Sequence, residues 1–146
     1  MTATILLVED NDDDAMLMKR ALKSAGVRNP LHLAEDGQQA IDYLAGEGVY
    51  QDRQLYPLPR IVFLDLKLPL KSGHEVLEWL RRQPSLEGVI VIVLTSSNEL
   101  VDLNRAYRAG ANSYVVKPPT SDQLLELAKA FKLYWLEHNA YESVEA

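Results

Sequence analysis

The chain has 146 residues, which is enough for one domain with a sizeable core. Its net charge of −6 argues against generic binding to nucleic acid or to anionic membranes. The absence of cysteine excludes disulfides and thiolate metal sites, and the longest apolar run, residues 89–94, is far shorter than the ~20 residues that span a bilayer. We therefore expect a single cytoplasmic domain over residues 1–146.

The first part of the chain alternates between short β-branched runs and helical patterns. The predicted elements are a strand over residues 4–8, a helix over 13–25, a weaker strand over 31–34 and a helix over 37–45. Gly26 is the expected stop of the first helix, and Asp36 is the expected N-cap of the second. The connection that follows, residues 46–60, is unusually long and contains several glycines and prolines.

The same alternation continues to the end of the chain. The predicted elements are strands over 61–65, 89–95 and 113–116, and helices over 73–83, from about 96 to 110 and over 121–139. Pro84 ends the first of these helices, and the pairs Ser96/Glu99 and Thr120/Gln123 have capping-box spacing before the other two. Near-continuous apolar strands that alternate with helices predict an α/β fold with a parallel sheet. We expect the doubly wound, flavodoxin-like sheet of five strands in the order 2-1-3-4-5, with helices on both faces.

Reactive side chains follow the predicted strands, at the sheet edge where such folds bind ligands. They are Glu9 and Asp10 after the first strand, Asp65 after the third, Thr95 at the end of the fourth and Lys117 after the fifth. Three clustered carboxylates repel one another unless a cation lies among them, and Mg²⁺ prefers such ligands. One carboxylate could then attack a phosphoryl group, whose oxygens Lys117 and Thr95 could contact.

These residues also occur in a familiar order and spacing. The motifs are Glu9-Asp10, Asp65-Leu66-Lys67-Leu68-Pro69 with Gly73, Thr95-Ser96, Tyr114 and Lys117-Pro118. Together, over nearly the whole chain, they resemble bacterial response-regulator receivers. The resemblance implies a phosphoacceptor signalling protein, not an enzyme, that is phosphorylated by a histidine kinase.

The resemblance also implies a role for each matching residue. Asp65 would be the phosphoacceptor, and Mg²⁺ would bind Glu9, Asp10, Asp65 and the backbone carbonyl of Lys67. Thr95 and Tyr114 would form the switch that responds to phosphorylation. The side chains of Lys67 and Ser97 would line the approach of the hydrolytic water, and neither is suited to orient it, so we expect slow self-dephosphorylation.

A finer resemblance involves the long connection and the C-terminal part. The relevant residues are Tyr43-Leu44, Gly48, Tyr50, Pro57, Pro59, Ala111-Asn112-Ser113-Tyr114 and Trp135-Leu136. They resemble response regulators that partner phytochrome-type histidine kinases, so we expect a light-sensing kinase as partner.

The last predicted helix carries more apolar residues than one buried face requires. Leu124, Ala128, Phe131 and Trp135 form the stripe that the sheet can bury. Outside this stripe lie Leu125, Leu133, Tyr134 and Leu136. They predict a homodimer through the last strand–helix unit, as the phytochrome-partner resemblance also implies. The alternative is that residues 46–60 fold over these positions.

Other functions fit the sequence less well. A dehalogenase-type phosphatase would need an acid at Lys67 and a threonine at Pro69, and the acidic loop over residues 9–13 would repel the phosphate of FMN. A P-loop or dinucleotide glycine pattern is missing. The remaining rival is an interaction module that works without phosphorylation.

Several residues have simpler expected roles. Asp12 to Asp14 read as a helix-initiating acidic run. The histidines His32, His74 and His138 read as surface or packing residues. About seven residues follow the last helix, so we expect no DNA-binding output domain.

Overall fold

The computed structural model describes residues 3–141, in which five strands alternate with five helices. The strands are β1 (Ile5–Val8), β2 (Leu31–Ala34), β3 (Ile61–Leu64), β4 (Ile90–Thr95) and β5 (Ser113–Val116). The helices are α1 (Asp12–Ser24), α2 (Gly37–Ala45), α3 (Gly73–Arg81), α4 (Leu100–Arg108) and α5 (Ser121–Phe131). Short 3₁₀ helices lie at Gly48–Tyr50 and Pro84–Leu86.

The five strands form one parallel sheet in the order β2-β1-β3-β4-β5. Ile5 of β1 lies opposite Ile61 of β3, which in turn lies opposite Ile90 of β4. Every residue of β1 and of β3 is buried, which explains their unbroken apolar sequences. The predicted doubly wound fold is confirmed.

The two predicted capping boxes have different outcomes. The Thr120 hydroxyl accepts the Gln123 backbone N–H at 3.2 Å, so α5 begins where expected. The Ser96/Glu99 prediction is wrong, because α4 begins only at Leu100 and its N-cap, Glu99, makes no side-chain cap. The Ser97 hydroxyl instead donates to Asp102 at 2.6 Å and accepts the Glu99 N–H at 3.3 Å, which holds this segment in a loop.

The last helix continues beyond α5 as a π-helix over Lys132–His138. It therefore ends one residue before the predicted end at residue 139. The expected residues after it extend into 142–146, which lie outside the described part of the chain. Within residues 3–141, every helix is too short or too polar to cross a bilayer.

The sheet separates two apolar clusters. Side chains at alternate strand positions, such as Leu6 and Val62, pack with α2, α3 and α4 in what we call the α2–α4 cluster. The intervening positions, such as Leu7 and Phe63, pack with α1 and α5 in the α1–α5 cluster. The ring centroids of Phe63 and Phe131 are 4.8 Å apart, which fixes α5 on the sheet.

The long connection over residues 46–60 packs against α2. The rings of Tyr50 and Tyr56 lie 5.1 and 5.9 Å from the ring of Tyr43 on α2. The Arg53 guanidinium donates to the carbonyls of Tyr43 and Leu44 at 2.7 and 2.9 Å, at the end of that helix. Tyr50, Tyr56 and Leu58 of the connection pack against the α2–α4 cluster, whereas Val49 and Leu55 are exposed. The alternative that this connection covers the extra apolar positions of the last helix is therefore wrong.

Candidate functional site

The carboxylates that follow β1 and β3 meet at the predicted edge of the sheet. The backbone N–H of Asp65 donates to the Val8 carbonyl at 3.1 Å, which extends the pairing of β1 and β3 by one residue. Glu9 and Asp65 are buried, whereas Asp10 is exposed. One carboxylate oxygen from each of Glu9, Asp10 and Asp65 lies within 4.8 Å of the others. The structure therefore brings together the three predicted acids.

The electrostatics of this cluster suit a bound cation. The pKa of Glu9 is raised to about 7, chiefly by burial and in addition by the nearby Asp65 charge, although hydrogen bonds from Lys117 and the Asn11 N–H oppose the shift. A hard divalent cation among the three acids would stabilise their ionised forms, and carboxylate oxygens are the ligands that Mg²⁺ prefers. The arrangement of donors fits the predicted Mg²⁺ site.

Lys117 is the cation that the protein itself supplies. Its ammonium lies 2.6 Å from Glu9 Oε1, 3.0 Å from Asp14 Oδ2 and 3.1 Å from Asp65 Oδ2. Burial alone would lower the pKa of Lys117, but hydrogen bonds to Glu9 and Asp14 and the charge of Asp65 raise it above its ordinary value. Lys117 therefore stays protonated beside the cluster, as its predicted role requires.

Asp14 is the residue of the site that the sequence analysis missed. It belongs to the acidic run at the start of α1, yet its carboxylate reaches Lys117, which lies 103 residues later in the chain. Helical spacing is the only sequence signal for this contact. Asp14 directly precedes the buried Ala15 and is itself partly buried, whereas Asp12 and Asp13 are exposed.

Thr95 is fully buried at the end of β4, at the same edge of the sheet. Its hydroxyl accepts the Ser97 backbone N–H at 3.4 Å. The Tyr114 hydroxyl donates to the Ser97 carbonyl at 3.0 Å. The two predicted switch residues are thus both joined to the loop that follows β4.

Of the two residues predicted to tune dephosphorylation, Lys67 contacts the acidic cluster and Ser97 contacts α4. The Lys67 side chain is exposed, and its backbone N–H donates to Asp65 Oδ1 at 3.3 Å. The Ser97 hydroxyl donates to Asp102 of α4, so its proton is already used in a hydrogen bond within the protein. That contact is consistent with the expectation that Ser97 does not orient a water.

His74, predicted to be a surface or packing residue, is buried and makes one polar contact. Its Nε2 lies 3.2 Å from Asp102 Oδ1, which links α3 to α4. Hydrogen bonds from Ser97 and from His74 hold the pKa of Asp102 below its ordinary value. Among the described residues, no hydrogen-bond partner reaches His74 Nδ1.

Gly73, the first residue of α3, allows close contact between that helix and the segment that follows β3. A Cβ at this position would lie 2.1 Å from the Asp65 carbonyl oxygen and 2.6 Å from the Leu66 Cα. The Gly73 N–H donates to the Leu66 carbonyl at 2.9 Å. The helix can approach the site this closely because residue 73 has no side chain.

The four residues predicted to form a dimer interface differ in exposure. Leu133 and Tyr134 are 53% and 56% exposed. Leu125 and Leu136 are partly buried, and Leu136 packs against the α1–α5 cluster. Within this set of four, exposed apolar surface is therefore concentrated at Leu133 and Tyr134.

Comparisons with known proteins agree with the site. The sequence profile of the response regulator receiver domain matches residues 5–129. The chain is 43% identical, over 92% of its length and 84% of the relative's, to the "Probable methanogenesis regulatory protein FilR2" of Methanothrix harundinacea. It is 34% identical to the response regulator Rcp1 of Synechocystis, over 91% of this chain and 88% of Rcp1.

Solved structures show the same similarity. The phosphorylated cyanobacterial phytochrome response regulator RcpA superimposes with a TM-score of 0.90 at 33% identity, over 98% of this chain and all of RcpA. The Mn²⁺-bound form of Rcp1 superimposes with a TM-score of 0.86 at 32% identity, over 97% of this chain and 99% of Rcp1.

Proposed function

The chain belongs to the response regulator receiver family, and we propose that it accepts a phosphoryl group on Asp65 from a partner histidine kinase. The main support is the position of Asp65 after the central strand β3, where its buried carboxylate belongs to the acidic cluster and lies 3.1 Å from the Lys117 ammonium. The family is one of signalling proteins, so the transfer would change the surface of the protein rather than turn over a substrate.

The site provides a role for each residue in the transfer. An Asp65 oxygen would attack phosphorus while the bond from phosphorus to the donor nitrogen breaks, leaving an aspartyl phosphate. Lys117 would donate to a phosphoryl oxygen, and Thr95 would donate to another. Glu9, Asp10, Asp65 and the Lys67 carbonyl would hold Mg²⁺, which offsets charge on the phosphoryl oxygens when bound.

The test is intact-mass measurement after incubation with acetyl phosphate and Mg²⁺. We expect a single phosphoryl adduct that hydroxylamine removes and that does not form when EDTA replaces Mg²⁺. An adduct that forms equally well without a divalent cation, or none at all with Mg²⁺, would contradict the proposed function.

We also propose that the kinase is of the phytochrome type. The similarity to RcpA and Rcp1 over nearly the whole chain supports this partner. FilR2, which is more similar in sequence, is described as a regulator of methanogenesis, so a kinase with another input is the alternative. Phosphotransfer to this chain from a purified phytochrome-type kinase, faster than from kinases of other classes, would distinguish the two.

For signalling, we propose that Thr95 moves toward the phosphoryl group and that Tyr114 follows. The hydrogen bond from Tyr114 to the Ser97 carbonyl supports this coupling, because both residues contact the loop after β4. The output would be a protein–protein interaction on the last two strand–helix units. Slow self-dephosphorylation stays a prediction.

The raised pKa of Glu9 predicts that Mg²⁺ binding depends on pH. The raised pKa of Glu9 contributes fully to the stability of the metal-free fold at a pH below 4.5, the ordinary pKa of this carboxyl. This contribution is lost as the pH rises through about 7. Mg²⁺ needs the ionised form, so its affinity should fall by about tenfold per pH unit below ~7. Calorimetric titration at about pH 5.5 and about pH 8 would measure this change. A Glu9→Gln variant with the same pH dependence would show that another group is responsible.

We propose a homodimer in which Leu133 and Tyr134 lie at the centre of the interface. Burying such side chains contributes roughly 1.5–3 kcal/mol each before association costs, so a few per subunit could hold two copies together. We expect wild-type chain to sediment as a dimer at micromolar concentration and Leu133→Glu/Tyr134→Glu to sediment as a monomer. Glu126→Lys, on an exposed position of α5, is the control for altered charge. A monomeric wild type would refute the dimer.

A further inference from the structure

We propose that Asp14 is a positioning residue, which keeps the Lys117 ammonium directed at the site where the phosphoryl group binds. This inference rests on the proposed function, because it concerns the same transfer to Asp65. Its starting point is the 3.0 Å contact between Asp14 Oδ2 and Lys117 Nζ, which joins the first turn of α1 to the end of β5.

The contacts of Lys117 use all of its donors. An ammonium has three N–H groups, and the acceptors at hydrogen-bonding distance are one oxygen each of Glu9, Asp14 and Asp65. A phosphoryl oxygen can therefore bind Lys117 only if one of these acceptors gives way.

Two of the three acceptors change when the site is loaded. The Asp65 carboxylate loses its negative charge when one of its oxygens becomes bonded to phosphorus, and the other oxygen becomes a neutral carbonyl. Glu9 belongs to the acidic cluster. A divalent cation bound there would repel the Lys117 ammonium and compete with it for the Glu9 carboxylate. Asp14 is outside that cluster, so it is the acceptor whose bond to Lys117 neither event replaces.

The local structure fixes Asp14 for this role. The Asn11 side chain accepts the Asp14 backbone N–H at 2.9 Å, which caps α1 and places Asp14 in its first turn. The Asp14 side chain is 43% exposed, compared with 5% for Glu9 and 8% for Asp65. Its charge thus remains hydrated, and it holds Lys117 without adding another buried acid to the cluster.

The size of the effect follows from that exposure. Partly exposed ion pairs contribute less than buried ones, so removing the Asp14 charge should slow phosphorylation by about three- to tenfold rather than abolish it. Asp13 provides a matched control, because it is in the same turn and near the same helix terminus but is exposed. Asp13→Asn should reproduce any effect that the charge has on the helix alone.

The experiment measures the rate of phosphorylation by acetyl phosphate at saturating Mg²⁺. We expect Asp14→Asn to react about three- to tenfold more slowly than wild type, Asp14→Glu to recover part of the rate, and Asp13→Asn to stay within about twofold. In a Lys117→Met background, adding Asp14→Asn should cause no further loss, because the proposed effect acts through Lys117.

Three results would overturn the inference. Asp14→Asn could react as fast as Asp13→Asn, which would make Asp14 an ordinary residue of the acidic turn. Asp14→Asn could slow the reaction equally with and without Lys117, which would mean that it acts by another route. Finally, the wild-type chain could form no adduct, which would contradict both the proposed function and this inference. If the inference alone fails, the wild-type chain is still phosphorylated.

Discussion

Asp65→Asn is expected to eliminate the phosphoryl adduct while the chain stays folded. An amide oxygen is a far weaker nucleophile than a carboxylate, and Glu9, which also contacts the Lys117 ammonium, is proposed as a Mg²⁺ ligand rather than as the phosphoacceptor. Loss of a nucleophile from such a site typically costs at least about a thousandfold in rate. Intact-mass measurement after acetyl phosphate and Mg²⁺ should therefore show no adduct above background.

The substitution should not destabilise the metal-free protein. The Asp65 charge contributes to the raised pKa of Glu9, so its removal relieves repulsion between two buried acids. The asparagine carbonyl can still accept a hydrogen bond from Lys117. A melting temperature at or above that of wild type, with Asp13→Asn as the charge control, would show that the loss is chemical. An undiminished adduct in folded Asp65→Asn would place the phosphoacceptor elsewhere.

Gly73→Ala is expected to cause the largest loss of stability among the substitutions considered. The new Cβ would lie 2.1 Å from the Asp65 carbonyl oxygen, which belongs to the backbone and cannot rotate away as a side-chain atom could. Either α3 or the segment after β3 must shift, and overpacking of this kind costs about 1–3 kcal/mol or more. Urea unfolding should show a decrease in the free energy of unfolding of about 3 kcal/mol.

A second glycine provides the control for this substitution. A Cβ at Gly48 would enter open space, with no neighbouring heavy atom within 4 Å. Only the backbone φ of +61° disfavours alanine there. Gly48→Ala should therefore cost only about 1 kcal/mol, the ordinary penalty of a left-handed conformation. If Gly73→Ala lost no more stability than Gly48→Ala, the close approach of α3 to Asp65 would not be a constraint on the fold.

Much of the fold and of the site could be predicted because each depends on patterns local in sequence. The apolar runs of β3 and β4 indicate strands buried on both faces, and alternation with helices then restricts the sheet to a few strand orders. Once that order is known, Glu9, Asp65 and Lys117 must meet, because each directly follows a strand. The ion pairs from Lys117 to both acids agree with that reasoning.

The role of Asp14 could not be predicted in the same way. Three consecutive aspartates look alike in sequence, and each favours the start of a helix. Which of them reaches Lys117 depends on the phase of α1 relative to the end of β5. That phase is set by packing of the helix on the sheet, which the sequence pattern describes only to within a residue or two.

The start of α4 shows another limit. Ser96 and Glu99 have the spacing of a capping box, but the neighbouring Ser97 hydroxyl finds an acceptor in Asp102. A serine hydroxyl can cap a helix or form a hydrogen bond with a nearby side chain, and tertiary contacts decide which of these occurs. The connection over residues 46–60 has the same limit. Its length is evident from the sequence, but its attachment to α2 is not, because Arg53 binds backbone carbonyls, which every residue has.

The separation of the core by the sheet has a consequence for how the sequence can vary. Among the residues that the structure describes, the α1–α5 cluster and the α2–α4 cluster pack as separate groups on opposite faces of the sheet, so the effects of substitutions in the two clusters on the free energy of unfolding should add. One half of the interior can then diversify without compensating changes in the other. The exception is the edge where the strands end, since Asp65 and Lys117 link residues from both halves. Epistasis between the halves should therefore be concentrated in the pocket around Asp65 and Lys117.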